Sequence, residues 1–282
     1  MTAPPPAGPP ARRLRWRRLK LGLATLLGSK PGGFFIPYRH AGSIPPPGMR
    51  PRYNALEAVL DERRCDFSRL LAALGPLPAK PGPARWDQDW FPRLDAAAAY
   101  ALVRAQPPRR IVEVGSGHST RFLARAVADG KLATRITAID PEPRARIEGL
   151  DVEFLRQNVQ AAPEDLFLEL KSDDILFIDS SHQLKPGSDV EFVMTRVVPR
   201  LPAGVRAHFH DVFLPDSYPA HWAWRRYNEQ AAVAALLTRD WQCAFSSHWI
   251  VSRRPDLLQR GALAKLPLVE GAIESSLWLT RH

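Results

Sequence analysis

Cysteine is scarce in this sequence: Cys65 and Cys243 are far apart, and no other thiol lies near either. They supply neither a disulfide framework nor a thiolate zinc site, and they fit a reducing, cytoplasmic setting. Long apolar runs are missing as well. The longest candidate, Leu21–Gly28, falls well short of the roughly 18 residues that a membrane-crossing helix requires. It follows a basic segment, yet no small-x-small cleavage pattern comes after it, so a removed leader is not expected. Acidic residues are absent from Met1–Arg50, which holds nine Lys and Arg. The formal charge of +10 is therefore concentrated there, because beyond Arg50 30 basic side chains face 29 acidic ones. A broad basic groove is not implied, no Asn-Pro-Pro-Tyr-like base-reading motif is present, and no nucleic-acid partner is expected.

With 282 residues the chain can bury a full core, and one α/β domain with extensions is the expected organisation. Residues 1–10 are mostly Pro, Ala and Gly, a composition that cannot pack, and they are expected to be a disordered tail. Residues 11–85 form an N-terminal extension. Within it Arg12–Leu27 has a helical pattern, with Trp16, Leu19, Leu23 and Leu26 on one face and Arg13, Arg17 and Lys20 on another. Such a helix docks on its own protein or on the second copy of a homodimer, or makes a peripheral contact with an anionic membrane. An irregular apolar strap (Gly32–Tyr38 and Ile44–Gly48), a helix over Tyr53–Leu74 and a Pro-rich linker over Pro76–Pro83 complete the extension.

Residues 86–282 alternate strand and helix patterns. A helix from Asp95, a suitable N-cap, runs to Arg104 ahead of Pro107. Strands are predicted at Arg110–Val114, Arg135–Ile139, Val152–Leu155, Asp174–Asp179 and Val205–Phe209. Between them come helices after Thr120, after Pro141, near Pro163–Leu170 and at the capping box Ser188-x-x-Glu191. A long helix over His221–Leu237 and two strands, Cys243–Val251 and Ala272–Leu279, follow. The fold class is α/β, a mostly parallel sheet with helices on both faces.

The first strand ends in the turn Glu113-Val114-Gly115-Ser116-Gly117-His118-Ser119-Thr120. Glycines here let backbone approach a nucleotide-like ligand, and Asp140 closes the second strand where a βαβ unit places a ribose-binding acid. The third glycine of a dinucleotide fingerprint is missing, which disfavours an NAD-dependent oxidoreductase. Glu113 sits where its charge suits a cationic cofactor better than a phosphate.

This pattern resembles the first motif of the class I, Rossmann-like S-adenosylmethionine-dependent methyltransferases. The resemblance runs over roughly Gln88–Arg281 and implies a seven-stranded sheet with an antiparallel edge. It places the cofactor on Glu113, Gly115, Ser116, Gly117, Ser119, Thr120, Asp140 and Asp179, with the ribose on Asp140. Trp90 and Phe91 are candidates for the pocket wall, with core packing their commoner fate.

Ligands in open parallel sheets bind beyond the carboxyl ends of the strands. There Asp179-Ser180-Ser181-His182 and His208-Phe209-His210-Asp211 each bring a carboxylate and an imidazole. Such groups can take a proton from a hydroxyl, hold a divalent cation, or do both. The arrangement is similar to magnesium-binding small-molecule O-methyltransferases, including a poorly characterised bacterial family with the strand ends Ile-Asp-x-x-His and His-Asp. By that resemblance the metal ligands are Asp179, His210 and Asp211, and the acceptor is a small molecule or sugar. His210 replaces the usual oxygen donor, whereas magnesium prefers oxygen. The metal-free alternative makes His182 or His210 a general base beside Asp211. His208, inside a strand, reads as a satisfied core residue. The aromatic stretch Phe213–Pro219 with Trp222 and Trp224 suits a lid, an acceptor pocket or a dimer contact. A cofactor-binding partner subunit without activity is the remaining alternative.

Overall fold

The computed structural model describes residues 52–74 and 82–282, together with residues 12, 15, 16, 19, 20, 22, 23, 27, 43, 45 and 50. The tail, the strap and most of the Pro-rich linker lie outside the described residues. Two compact units are present: residues 1–52 with Asp216–Tyr227, and Tyr53–Pro215 with Asn228–His282.

The larger unit holds the sheet. Its helices are α1 (Asn54–Glu62), α2 (Arg64–Ala72), α3 (Arg93–Ala105), α4 (His118–Gly130), α5 (Asp165–Leu168), α6 (Asp189–Phe192), α7 (Glu229–Leu236) and α8 (Ser247–Arg253). Its strands are β1 (Arg110–Val114), β2 (Arg135–Ile139), β3 (Glu153–Leu155), β4 (Ile175–Ile178), β5 (Arg206–Phe209), β6 (Trp241–Ser246) and β7 (Leu277–Arg281). They form one seven-stranded sheet in the order β3-β2-β1-β4-β5-β7-β6. All neighbours are parallel except β5–β7 and β6–β7. The strand order reverses beside β1, so the carboxyl ends of β1 and β4 flank a crevice.

Central strands buried on both faces carry the unbroken apolar runs that parallel sheets require. Ile175–Ile178 is buried throughout, and Ile111, Val112 and Val114 of β1 are at most 2% exposed. The alanine-rich α3 packs against α4, with Ala96–Ala99 completely buried because small side chains let the helix approach closely. Leu56, Leu60 and Phe67 of α1 and α2 belong to the same core.

Several expected elements differ. The helix predicted over Tyr53–Leu74 is two helices that meet at Arg63. Asp95 is not an N-cap: α3 starts two residues earlier, after Pro92, and Asp95 is fully buried. No helix follows Pro141, where the chain makes turns instead. The long helix over His221–Leu237 is a 3-10 segment, Ala220–Arg225, and the separate α7, because Arg226 takes a left-handed conformation (φ 60°). The strand expected to reach Val251 stops at Ser246, whose hydroxyl accepts from the Trp249 amide and opens α8. The last strand begins at Leu277, five residues later than expected.

In the smaller unit Arg52 pairs with Asp216 at 2.6 Å. The Arg225 guanidinium lies 4.1 Å from the Trp222 ring centre and 5.3 Å from that of Trp224. Trp222 and Trp224, two of the aromatics suited to a lid, thus share one cation–π partner. Among the described residues of 12–27, Trp16, Leu19, Leu23 and Leu27 are exposed. No described helix is long and apolar enough to cross a membrane.

Candidate active site

β1 ends in a turn that only glycine can make. Gly115 has φ +87°, and a Cβ there would lie 1.9 Å from the Asp179 carbonyl oxygen, so the ends of β1 and β4 touch through it. The three amides of the turn are all committed inside the protein. Gly115 N donates to Ile139 O (2.9 Å), Ser116 N to Asp140 Oδ2 (2.7 Å) and Gly117 N to Thr120 Oγ1 (2.9 Å). In a dinucleotide fold such amides face a pyrophosphate. Here a backbone carbonyl, a carboxylate and a hydroxyl already take the three.

Glu113 is completely buried beneath the turn. It accepts the hydroxyl protons of Ser119 and Thr120, both at 2.6 Å. Burial pushes its carboxyl up to about 8, against the lowering effect of those two hydrogen bonds. Glu113, Ser119 and Thr120 therefore face inward and hold the loop in shape.

Beyond the strand ends lies a cavity of about 530 Å³ lined by Gly115, Ser116, Asp140 and Asp179 among others. Asp140 keeps Oδ1 on the Glu142 amide (2.8 Å) and Oδ2 on both the amide and the hydroxyl of Ser116 (2.7 and 3.1 Å), so among the described residues Oδ1 has a lone pair to spare. Residues that the sequence did not single out complete the lining: Arg144, Asn158, Val159, Gln160 and Asp189. Asn158 follows β3 as Asp140 follows β2, and strand-end position was the signal available for it. Four carboxylates (Asp140, Glu142, Asp179, Asp189) against one guanidinium suit a cationic ligand. Arg144 also stacks on the half-exposed Trp90, 4.6 Å from its ring centre. Phe91 is core, packed against Phe122, Phe177 and His210.

The floor of the crevice joins the ends of β4 and β5. His182 Nε2 lies 3.3 Å from Asp179 and 3.5 Å from Asp211. His210 Nδ1 lies 3.4 Å from Asp179 and 3.6 Å from Asp211. The outer nitrogens are also engaged: His182 Nδ1 with Glu229 (2.9 Å) and His210 Nε2 with Asp95 (3.3 Å). His182 and Asp211 both adopt left-handed backbone, φ 57° and 56°, a strained state that clusters at functional sites. Burial favours neutral imidazoles, but the surrounding carboxylates prevail and hold both well above the usual histidine range. Asp179 is held well below the usual carboxylate range: burial raises it, and the charge of His210 with hydrogen bonds from both histidines more than compensates. Its side chain remains about one quarter exposed, toward the cavity. His208 is buried in β5, bonded to Ser276 Oγ (2.8 Å) and stacked on Phe177.

The metal expectation meets a donor set that does not fit it. Asp179, His210 and Asp211 do converge, but each His210 nitrogen lies within 3.6 Å of a carboxylate oxygen, and magnesium prefers oxygen to an imidazole nitrogen. Among the described residues, no group of three or more His, Cys, Asp or Glu side chains is set to hold a metal ion.

No curated protein matches the chain. Several solved structures are similar at low identity. They include an S-adenosylhomocysteine-bound Podospora anserina methyltransferase, PaMTH1 (16% identity, 89% of this chain, 99% of that one, TM-score 0.42). Another is the plantazolicin methyltransferase BpumL with a monoazolic desmethylPZN analog and S-adenosylhomocysteine (14%, 96% and 98%, 0.41). A third is CmcI-D160 with Mg and S-adenosylmethionine (14%, 74% and 88%, 0.38). Residues 112–212, from β1 to just past β5, match the family model described as a methyltransferase domain. Residues 112–212 are thus similar to a methyltransferase domain, and they span the glycine turn, the acid after β2 and the parallel part of the seven-stranded sheet.

Proposed function

We propose that the protein transfers a methyl group from S-adenosylmethionine to an oxygen of a small molecule or sugar. The observation that carries this reading is the acid-lined cavity over a glycine turn whose three amides are already spent. Such a site rejects a pyrophosphate and accepts a sulfonium, which disfavours the NAD-dependent alternative. When bound, S-adenosylmethionine supplies the methyl group as a sulfonium. Asp140 receives the ribose hydroxyls, and Gly115 lets backbone approach the cofactor. Asp179, exposed to the cavity beside His182 and His210, marks where the acceptor oxygen approaches.

The acceptor proton goes to His182 or His210 once that ring has lost one proton, with Asp211 fixing the inner nitrogens. Because both rings are held well above the usual histidine range, the basic form grows only as pH rises beyond that range. Turnover is therefore expected to rise from neutral into mildly alkaline pH. A profile that falls over this range would contradict a histidine base. Screening hydroxylated small molecules and sugars with methyl-labelled cofactor tests the acceptor class. Binding of S-adenosylhomocysteine with no turnover on any acceptor would favour the inactive partner subunit.

Residues 12–27 add a peripheral contact with an anionic membrane surface in this reading. It is supported by the exposed Trp16, Leu19, Leu23 and Leu27 within a stretch that has no acidic residue. Docking on a second copy is the alternative for that face.

A further inference from the structure

Arg144 runs against the charge pattern of the cavity. It lies on the turns after β2 and lines the cavity together with Asp140, Glu142, Asp179 and Asp189. Among the described residues it makes no ion pair with any of them. Other arginines of the larger unit take carboxylates directly: Arg93 meets Glu274 at 2.9 Å, Arg110 meets Glu169 at 2.6 Å and Arg125 meets Asp129 at 2.7 Å. The Arg144 guanidinium instead lies over the Trp90 ring, 4.6 Å from its centre. A guanidinium stacked on an aromatic face keeps its N–H fork at the rim, where it matches the two oxygens of a carboxylate.

Trp90 is built into position for this contact. Gln88, 5% exposed, accepts from the amides of Trp90 (2.9 Å) and Phe91 (2.8 Å) through Oε1 and donates to the Phe91 carbonyl through Nε2. One buried amide side chain thus fixes two successive residues that point to opposite sides. Phe91 enters the core at 1% exposure, while Trp90 stays 47% exposed. Core packing explains Phe91 and leaves Trp90 unexplained; the stack on Arg144 gives its ring a use.

Charge then distinguishes the two ends of an adenosyl sulfonium. Its sulfonium and ammonium are positive and its α-carboxylate is negative. Four carboxylates suit the first two groups and repel the third, so the α-carboxylate has a favourable neighbour in Arg144. We infer that Arg144, positioned by Trp90 and through it by Gln88, receives the α-carboxylate of the cofactor, an assignment that rests on the reading of this cavity as the cofactor site. The cavity then selects adenosyl compounds that carry a carboxylate over those that lack it. Because the guanidinium is stacked and not paired, Asp140 stays open for the ribose.

The test is calorimetric titration of full-length protein with S-adenosylhomocysteine and with its decarboxylated analogue, which keeps the adenine, ribose, sulfur and ammonium. Wild type is expected to bind S-adenosylhomocysteine about tenfold more tightly than the analogue. Arg144→Gln should weaken S-adenosylhomocysteine about tenfold without weakening the analogue, so that the preference disappears. Arg144→Lys, which keeps the charge and loses the fork, should fall between. Trp90→Ala should reduce the preference about threefold, and Trp90→Phe, which keeps a ring face, should restore most of it. Both side chains are exposed, and circular dichroism checks that each variant is folded. Equal weakening of both ligands in Arg144→Gln would place the guanidinium against the adenosine part and overturn the inference. A wild type without preference, or a preference that survives Arg144→Gln, would overturn it too, and a preference untouched in Trp90→Ala would remove the positioning role. Folded wild-type protein that binds neither ligand sinks the cofactor reading itself, whereas binding of both with equal affinity sinks this inference alone.

Discussion

A methyl group on Gly115 would lie 1.9 Å from the Asp179 carbonyl oxygen on a backbone already at φ +87°. Gly115→Ala should therefore cost about 3 kcal/mol in chemical denaturation, from overpacking together with left-handed strain. A loss below about 1 kcal/mol would mean that β1 and β4 can part more easily than their contact suggests. At Asp140 the expected effect is on binding. Asp140→Ala removes a charged acceptor for the ribose and also frees the Ser116 amide, so S-adenosylhomocysteine affinity should fall about 10- to 100-fold; unchanged affinity would remove the ribose role. Both residues were legible, because a glycine or an acid closing an apolar strand is a local signal. Asp95 was not. An aspartate just before an alanine run looks like a cap, and its actual partners, His210, Ser275 and Ser276, lie more than 100 residues away. Glu229 was hidden for the same reason, since its contact with His182 spans 47 positions.

At the scale of elements, the β1 turn and α4 are joined through Glu113. Its folded carboxyl titrates at about 8, against an ordinary value of 4.5. Between those values the folded state holds a proton that the unfolded chain has released, so stability should fall as pH rises through the window. The slope is at most about 1.4 kcal/mol per pH unit. Glu113→Gln should flatten that slope in denaturation curves between pH 5.5 and 8.5; parallel slopes for both proteins would show that Glu113 is ionised in the fold. The parallel strands were legible because β-branched runs of four or five residues bounded by turns have few other uses. Helix limits were less so. Apolar periodicity across His221–Leu237 says nothing about the left-handed Arg226 that divides it. Likewise the apolar run into Val251 fits a strand or a helix until the Ser246 cap decides.

For the whole molecule, charge distribution separates two roles. Positive charge lies in the first 50 residues, and the remainder is nearly balanced. Full-length protein should therefore co-sediment with vesicles rich in anionic lipid and be released as salt rises; equal sedimentation with neutral vesicles would count against the membrane contact. The α/β class and the strand-end crevice were readable from alternation alone, because sheet topology determines where polar residues can gather. The closure of both histidines by carboxylates from α3 and α7 depends on tertiary packing that no local pattern records. The central claim is that the cavity beyond β1, β2 and β4 takes an adenosyl sulfonium and no dinucleotide. The most direct measurement is calorimetric titration of the full-length protein with S-adenosylmethionine, S-adenosylhomocysteine and NAD, with and without magnesium. The account predicts binding of both adenosyl compounds, unchanged by magnesium, and none of NAD. NAD binding, or a folded protein that ignores both adenosyl compounds, would contradict it.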